Sequence, residues 1–174
     1  MGTPAKNESA HTCAYVLGDD GLATWSDTHA DAWIGMLETH KRLTRALDAE
    51  LEAEFGLSLS GVEVLGRLAA AEGRNLRLSV LANECGLSLS RISRIVDTLE
   101  ARELVQRRSS AEDARAVEAH LLPEGLDLVR KAQASHFESV QQRFFEQLSP
   151  GEIEMLASIF GRFAPRAASA CTES

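Results

Sequence analysis

The sequence predicts a mainly α-helical protein carrying one small β-hairpin, and three observations predict it. Over most of the chain apolar residues recur every three or four positions, the spacing of helices that bury one face. That period breaks at "ELVQRRSSAEDARAVEAHLL" (103–122), where two strand-like runs flank a polar loop. Aromatic residues make up only 5% of the 174, so the core must be built from Leu, Ala, Val and Ile.

Each element follows from local chemistry. Residues 1–25 show no sustained period and are expected to form a flexible extension. Ser26 or Asp27 then caps a long helix whose Ala30, Trp33, Leu37, His40, Leu43, Leu47, Leu51 and Phe55 share one side, and Gly56 ends it. Ser58 or Ser60 caps a second helix with Val62, Leu65, Leu68 and Ala69 as its stripe and Gly73 as its stop. A short third helix, capped by Ser79, closes at Gly86, and "LSLSRISRIVDTLEAREL" (87–104) forms a fourth. After the hairpin a long helix starts at Pro123, with Leu126, Val129, Ala132, Phe137, Val140 and Phe144 on its apolar side. A last helix is capped by Ser149 with Pro150 at its first position, and residues 165–174 are read as a frayed tail.

Composition narrows the class of protein. A run of about 18 apolar residues, the minimum for a membrane span, does not occur, nor does a signal-peptide pattern, so a cytoplasmic protein is expected. Cys13, Cys85 and Cys171 are few, odd in number and far apart, which argues against a disulfide framework. An enzyme is not expected, because no Gly-rich phosphate loop or spaced Ser/His/Asp set is present. His11, Cys13, His29, His40, His120 and His136 offer no closely spaced ligand pair, so neither a metal site nor a cofactor is expected.

The chemistry concentrates in the middle. Two short helices joined at Gly86 fit a helix-turn-helix, with Gly86 supplying the positive-φ turn and Ser88 capping the second helix. On that second helix Ile92, Ile95, Val96 and Leu99 form a buried stripe, which turns Ser90, Arg91, Ser93 and Arg94 outward near its N-terminus. Arginine forks suit guanine edges or phosphates, and serine hydroxyls pair with either. Arg107, Arg108 and Arg115 add a second basic device on the hairpin. The chain carries a formal net charge of -8, which opposes a polyanionic partner. Between Arg74 and Leu121, however, eight arginines face seven acids, so the negative charge lies almost wholly elsewhere. Screening over roughly 8 Å at physiological salt makes such an acidic body tolerable beside DNA.

"LSVLANECGLSLSRISRIVDTLEARELVQR" and "DARAVEAHLLPEG" together resemble the MarR family of bacterial winged helix-turn-helix regulators, over roughly residues 30–163. The resemblance implies a winged helix-turn-helix lobe at about 58–122 and dimerisation helices at about 26–56 and 123–164, within one domain spanning 26–164. It implies a cytoplasmic homodimer that binds a pseudo-palindromic double-stranded DNA site as a regulator, by family habit a repressor. Ser88, Ser90, Arg91, Ser93, Arg94, Arg108 and Arg115 would face the DNA, with Asp113 supporting the wing. Three positions depart from the family pattern: Glu103 where Gly is usual before the first wing strand, Ala114 where a second Arg is common, and Leu122 where Thr is common. The alternative is a winged-helix module for protein contacts alone, whose recognition helix should lack outward arginines.

The terminal helices agree with a dimer, since Phe137, Phe144, Phe145, Leu148, Met155, Ile159, Phe160 and Phe163 are more apolar surface than one small chain hides. An effector is the remaining expectation. Trp33, Met36, Leu37, His40 and Leu65 form a candidate pocket for a small aromatic acid, with His40 or Arg42 as its polar anchor. Metal- or redox-responsive variants of the same fold are the alternatives, Cys13 being the exposed thiol and Cys85 a core one.

Overall fold

A computed structural model of the chain describes residues 15–109 and 117–163. It divides into two units, Met1–Thr44 and Arg45–Ser174. The first unit opens on a hairpin that the sequence reading took for loose chain. β1 (Tyr15–Leu17) and β2 (Ala23–Trp25) pair antiparallel, with Tyr15 opposite Trp25 and Leu17 opposite Ala23. The turn explains it. Gly21 takes φ +77, the Asp20 carboxylate accepts the Leu22 N–H at 2.9 Å, and the Gly18 N–H donates to the Leu22 carbonyl at 2.8 Å. Tyr15 and Trp25 add an edge-to-face contact, ring centroids 6.2 Å apart. The signal was the Asp20-Gly21 pair, hidden because the flanking strands are only three residues long.

α1 (Asp27–Phe55) follows, its start set by Ser26, whose carbonyl accepts the Ala30 N–H and whose hydroxyl meets His29 Nδ1 at 2.7 Å. In the second unit its end packs through Leu47 and Leu51. α2 (Leu59–Ala70) is capped by Ser58, not Ser60: the Ser58 Oγ accepts the Gly61 N–H at 3.1 Å. The helix stops at Ala70, ahead of Gly73, because Gly73 at φ +65 serves the tight turn that follows. That turn feeds β3 (Asn75–Arg77), a strand the sequence reading absorbed into the third helix. α3 (Leu78–Glu84) therefore begins with Arg77 at its cap and no side-chain cap bond, and Ser79 lies inside it. Three residues cannot display a period; they become a strand because β5 offers an edge.

α4 (Leu89–Glu100), β4 (Val105–Ser109), β5 (Val117–Leu121), α5 (Pro123–Arg143) and α6 (Pro150–Phe163) complete the unit. The sheet order is β3-β5-β4, antiparallel throughout, with Leu76 opposite Ala119 and Arg107 opposite Ala119 on the other side. Leu65, Leu68, Leu81, Ile92, Val96, Leu99, Val105, Ala119, Val129 and Ala132 form its core, fully or almost fully buried. α6 is different. It buries no residue, and Phe137 and Phe145 before it stay exposed with Met155, Phe160 and Phe163 on it, whereas Phe144, Leu148 and Ile159 are half-buried. Its start is held by Glu152: the Glu152 carboxylate accepts the Ser149 N–H at 2.8 Å and the Ser149 hydroxyl at 2.7 Å, and those bonds lower the Glu152 pKa.

The junction of wing and α5 is the tightest point. A Cβ placed on Gly125 would lie 2.1 Å from the Leu104 carbonyl oxygen and 2.9 Å from Leu121 Cδ1. Helix and strand approach so closely only because that position has no side chain. Gly125→Ala is expected to destabilise the chain by about 3 kcal/mol through overpacking. Urea denaturation monitored by circular dichroism checks this, with an unchanged midpoint as the contrary outcome.

Candidate nucleic-acid interface

The site is built on the α3–α4 turn. Gly86 at φ +62 lets the Leu87 N–H reach the Ala82 carbonyl at 2.9 Å, while the Gly86 N–H donates to Asn83 at 3.2 Å. α4 then starts under Ser88, whose Oγ accepts the Arg91 N–H at 3.3 Å. Ile92, Val96 and Leu99 are buried and Ile95 half-buried, so the helix has one rotational setting. That setting exposes Ser90, Arg91, Arg94 and Thr98 along a single face.

The expected residues divide into two groups. Ser90, Arg91 and Arg94 stand on the exposed face, and the Arg94 side chain is steadied by a 3.4 Å bond from Nε to the Ser90 carbonyl. Arg108 is exposed on β4, held by Gln106 Oε1, which accepts its Nε and Nη2 at 3.0 and 2.8 Å. Ser88 and Ser93 are already engaged. Ser88 caps the helix and meets Ser90 Oγ at 3.1 Å. Ser93 is half-buried, and its carbonyl and hydroxyl accept from Arg107 Nη2 at 2.7 and 3.0 Å. Asp113 and Arg115 lie outside the described residues.

Arg107 therefore departs from its expected place at the wing surface. Its guanidinium turns back onto α4, donating to Ser93 and pairing with Asp97, while its backbone N–H donates to Glu100 Oε1 at 2.7 Å. One residue of β4 thus ties the wing to three positions of the recognition helix. Arg102 plays a comparable part at the other end of α4. It donates to the Gly56 carbonyl and, at 2.9 Å, to the Phe55 carbonyl, so a cation sits on the orphan acceptors that end α1. On the Arg91–Thr98 side of α4 runs a groove of about 380 Å³ lined by Arg91, Arg94, Thr98, Arg102, Ser58 and Glu52, among others. Sequence reasoning missed Thr98 and both structural arginines. Thr98 was findable as the position one turn beyond Arg94; which arginine folds inward is a matter of tertiary reach.

Glu103 answers the question raised by its departure from the family pattern. It adopts φ +57, the left-handed conformation a glycine takes at low cost, so the turn geometry is kept at roughly 1 kcal/mol of strain. Its N–H donates to the Glu100 carbonyl at 2.9 Å and the Leu104 N–H to Leu99 at 3.0 Å. Among the candidate effector residues, Trp33, Met36 and His40 are exposed and Leu37 half-buried in the first unit, whereas Leu65 is fully buried in the core of the second. Cys85 is half-buried, and burial pushes its thiol pKa up, away from a reactive thiolate. Among the described residues, no group of three or more His, Cys, Asp or Glu is placed to hold a metal ion, and no helix is long and apolar enough to cross a membrane.

The Arg107 brace generates a test. Arg107→Ala is expected to cost about 1–2 kcal/mol, because two half-buried acceptors on Ser93 lose their donor. Arg108→Ala, removing a side chain that only touches Gln106, is expected to change stability by less than about 0.5 kcal/mol. Thermal denaturation of both variants makes the comparison, and equal midpoints would remove the brace.

Comparison with known proteins places this geometry. A MarR family model matches residues 50–116, and among curated proteins none matches. The crystal structure of AbsC, a MarR family transcriptional regulator from Streptomyces coelicolor, is 32% identical over 80% of this chain and 94% of that one, with a TM-score of 0.75. Sco3205, a MarR family regulator from the same organism solved in complex with DNA, is 27% identical over 84% and 95%, also with a TM-score of 0.75. The Staphylococcus aureus MepR–DNA complex, at 23% identity, 80% and 97% coverage and a TM-score of 0.64, shares the fold. With nearly the whole of AbsC spanned at that identity, the chain belongs to the MarR family of transcriptional regulators.

Proposed function

We propose that the chain represses transcription by binding, as a homodimer, a pseudo-palindromic double-stranded DNA site. The observation that carries this reading is the exposed row of Ser90, Arg91 and Arg94 on a helix whose other side is locked in the core. Family membership makes the protein a regulator and not an enzyme, and the Sco3205 and MepR complexes are with DNA. Arg91 and Arg94 read base edges in the major groove, Ser90 hydrogen-bonds beside them, and Arg108 on the wing grips phosphate. Ser88 and Ser93 contribute by holding α4 in place, and Arg115 and Asp113, outside the described residues, are proposed as a further DNA contact and its wing support. The exposed Phe137, Met155, Phe160 and Phe163 are the surface that dimerisation covers.

Gel shifts with genomic fragments at low and moderate salt test the reading. Arg94→Ala is expected to abolish preference for the selected fragment, a loss of about 1–3 kcal/mol of discrimination. Arg108→Ala is expected to weaken all duplexes alike and lower the salt slope by about 1. Operator preference surviving Arg94→Ala would overturn the assignment of the reading face.

A small aromatic acid is the proposed effector, supported by exposed Trp33 and Met36 with His40 on the same stretch of α1. Leu65, buried in the core, takes no part. An effector shifts DNA affinity only by binding one arrangement of the dimer better than another. Titration calorimetry with a panel of phenolic acids, paired with DNA affinity in their presence, is expected to find one that binds and weakens the complex. A panel that neither binds nor changes DNA affinity would sink this part alone.

A further inference from the structure

The hairpin in the first unit has no role in what precedes. It exposes an unusual amount of apolar surface: Tyr15, Val16, Leu17, Leu22 and Trp25 are all at least 48% exposed. Two three-residue strands are marginal alone in water. Nothing in the first unit covers them, since none of its described residues is buried. The same unit exposes Trp33 (51%) and Ile34 (53%) on α1. A pairing this well specified by its turn, with this little of its own core, needs a partner surface.

Charge selects the partner. From Tyr15 to His40 there are five acids, Asp19, Asp20, Asp27, Asp31 and Glu38, and no Lys or Arg. Such a segment repels duplex DNA and anionic lipid alike. The bases come immediately afterwards, at Lys41 and Arg42, both exposed. Lys41 pairs with Glu38 at 2.9 Å; Arg42, whose charge Glu38 feels more weakly, and Arg45 are the further exposed cations of this stretch. An acidic, aromatic end followed by a basic step is self-complementary about a two-fold axis. Where the two-fold axis crosses the helices at right angles, a helical segment and its copy run antiparallel and position i faces j as j faces i. With the crossing at the exposed Ile34 and the open Gly35, residue 42 of one copy lies beside about residue 28 of the other, roughly 10 Å along the axis. The hairpin ends at Trp25, within about one helical turn of that point.

We propose that the β1–β2 hairpin is a dimerisation arm: it reaches over α1 of a second copy of this chain, placing Tyr15, Trp25 and Asp19 against Arg42. The inference rests on the homodimer reading above and adds to it a contact made by the hairpin, which precedes the dimerisation helices in the chain. Aromatic rings take up the guanidinium face, and the turn carboxylate takes its charge. Asp20 stays committed to the turn through the Leu22 N–H.

A charge exchange in the full-length chain tests it. In the Asp19→Arg chain the arm and the step are both basic; in the Arg42→Glu chain both are acidic. Each is expected to form homodimers at least several-fold more weakly than the parent. Mixed in equal amounts, they are expected to form heterodimers well above the statistical half, read by native mass spectrometry with one chain mass-labelled. Trp25→Ala is expected to raise the dimer dissociation constant about tenfold in sedimentation equilibrium, with its helical circular dichroism retained. Statistical mixing, or an unchanged dissociation constant for Trp25→Ala, overturns the arm while leaving the parent dimer standing. A parent chain that is monomeric at every concentration removes the homodimer reading itself and the arm with it.

Discussion

The burial of one stripe on α4 governs everything the second unit presents to its surroundings. Ile92, Val96 and Leu99 sit in the core with almost no exposed surface. A helix pinned at three points over two turns has no rotational freedom left, and each fully buried aliphatic contributes about 1.5–3 kcal/mol to keeping it so. Ser90, Arg91, Arg94 and Thr98 are exposed as a consequence, because 3.6 residues per turn puts them opposite the stripe. The polar face is positioned by apolar chemistry on the other side of the same helix.

Two arginines then divide the labour that composition alone would have assigned to a uniform basic patch. Arg107 spends its donors on Ser93 and Asp97, and Arg102 on the carbonyls that end α1. Neither is available to an anion in that state, yet both fix the elements that carry the arginines which are. Wing and recognition helix thereby move together, because β4 cannot shift without breaking the Ser93 and Glu100 bonds. The Glu103 turn belongs to the same economy. Its left-handed backbone preserves the α4–β4 connection without a glycine, and the strain is small beside the core that enforces it.

The acidic character of the chain has a spatial order. The helix-turn-helix and wing segment is close to neutral while the rest carries the negative charge. In the first unit that charge is itself graded, acids up to Glu38 and bases at Lys41 and Arg42. Negative charge more than a Debye length from the reading face costs little at physiological salt, since its field is screened. It also discourages the first unit from competing for the same polyanion.

The residues by themselves determined the helical class, the Gly86 turn, the Ser88 cap, the α4 stripe, the Pro123 start of α5 and the outward placement of Ser90, Arg91 and Arg94. All are set by spacing or backbone chemistry within about a dozen residues, where periodicity and capping act. Tertiary structure decided the rest. β3 is a strand because β5 lends it an edge, and the need for Gly125 arises from a carbonyl 21 residues earlier at Leu104. Arg107 faces inward because Ser93 lies within its reach, and Leu65 is core and not pocket because other elements close over it. These are contacts between distant segments, and a one-dimensional pattern carries a residue's own preference but not the neighbour that will meet it.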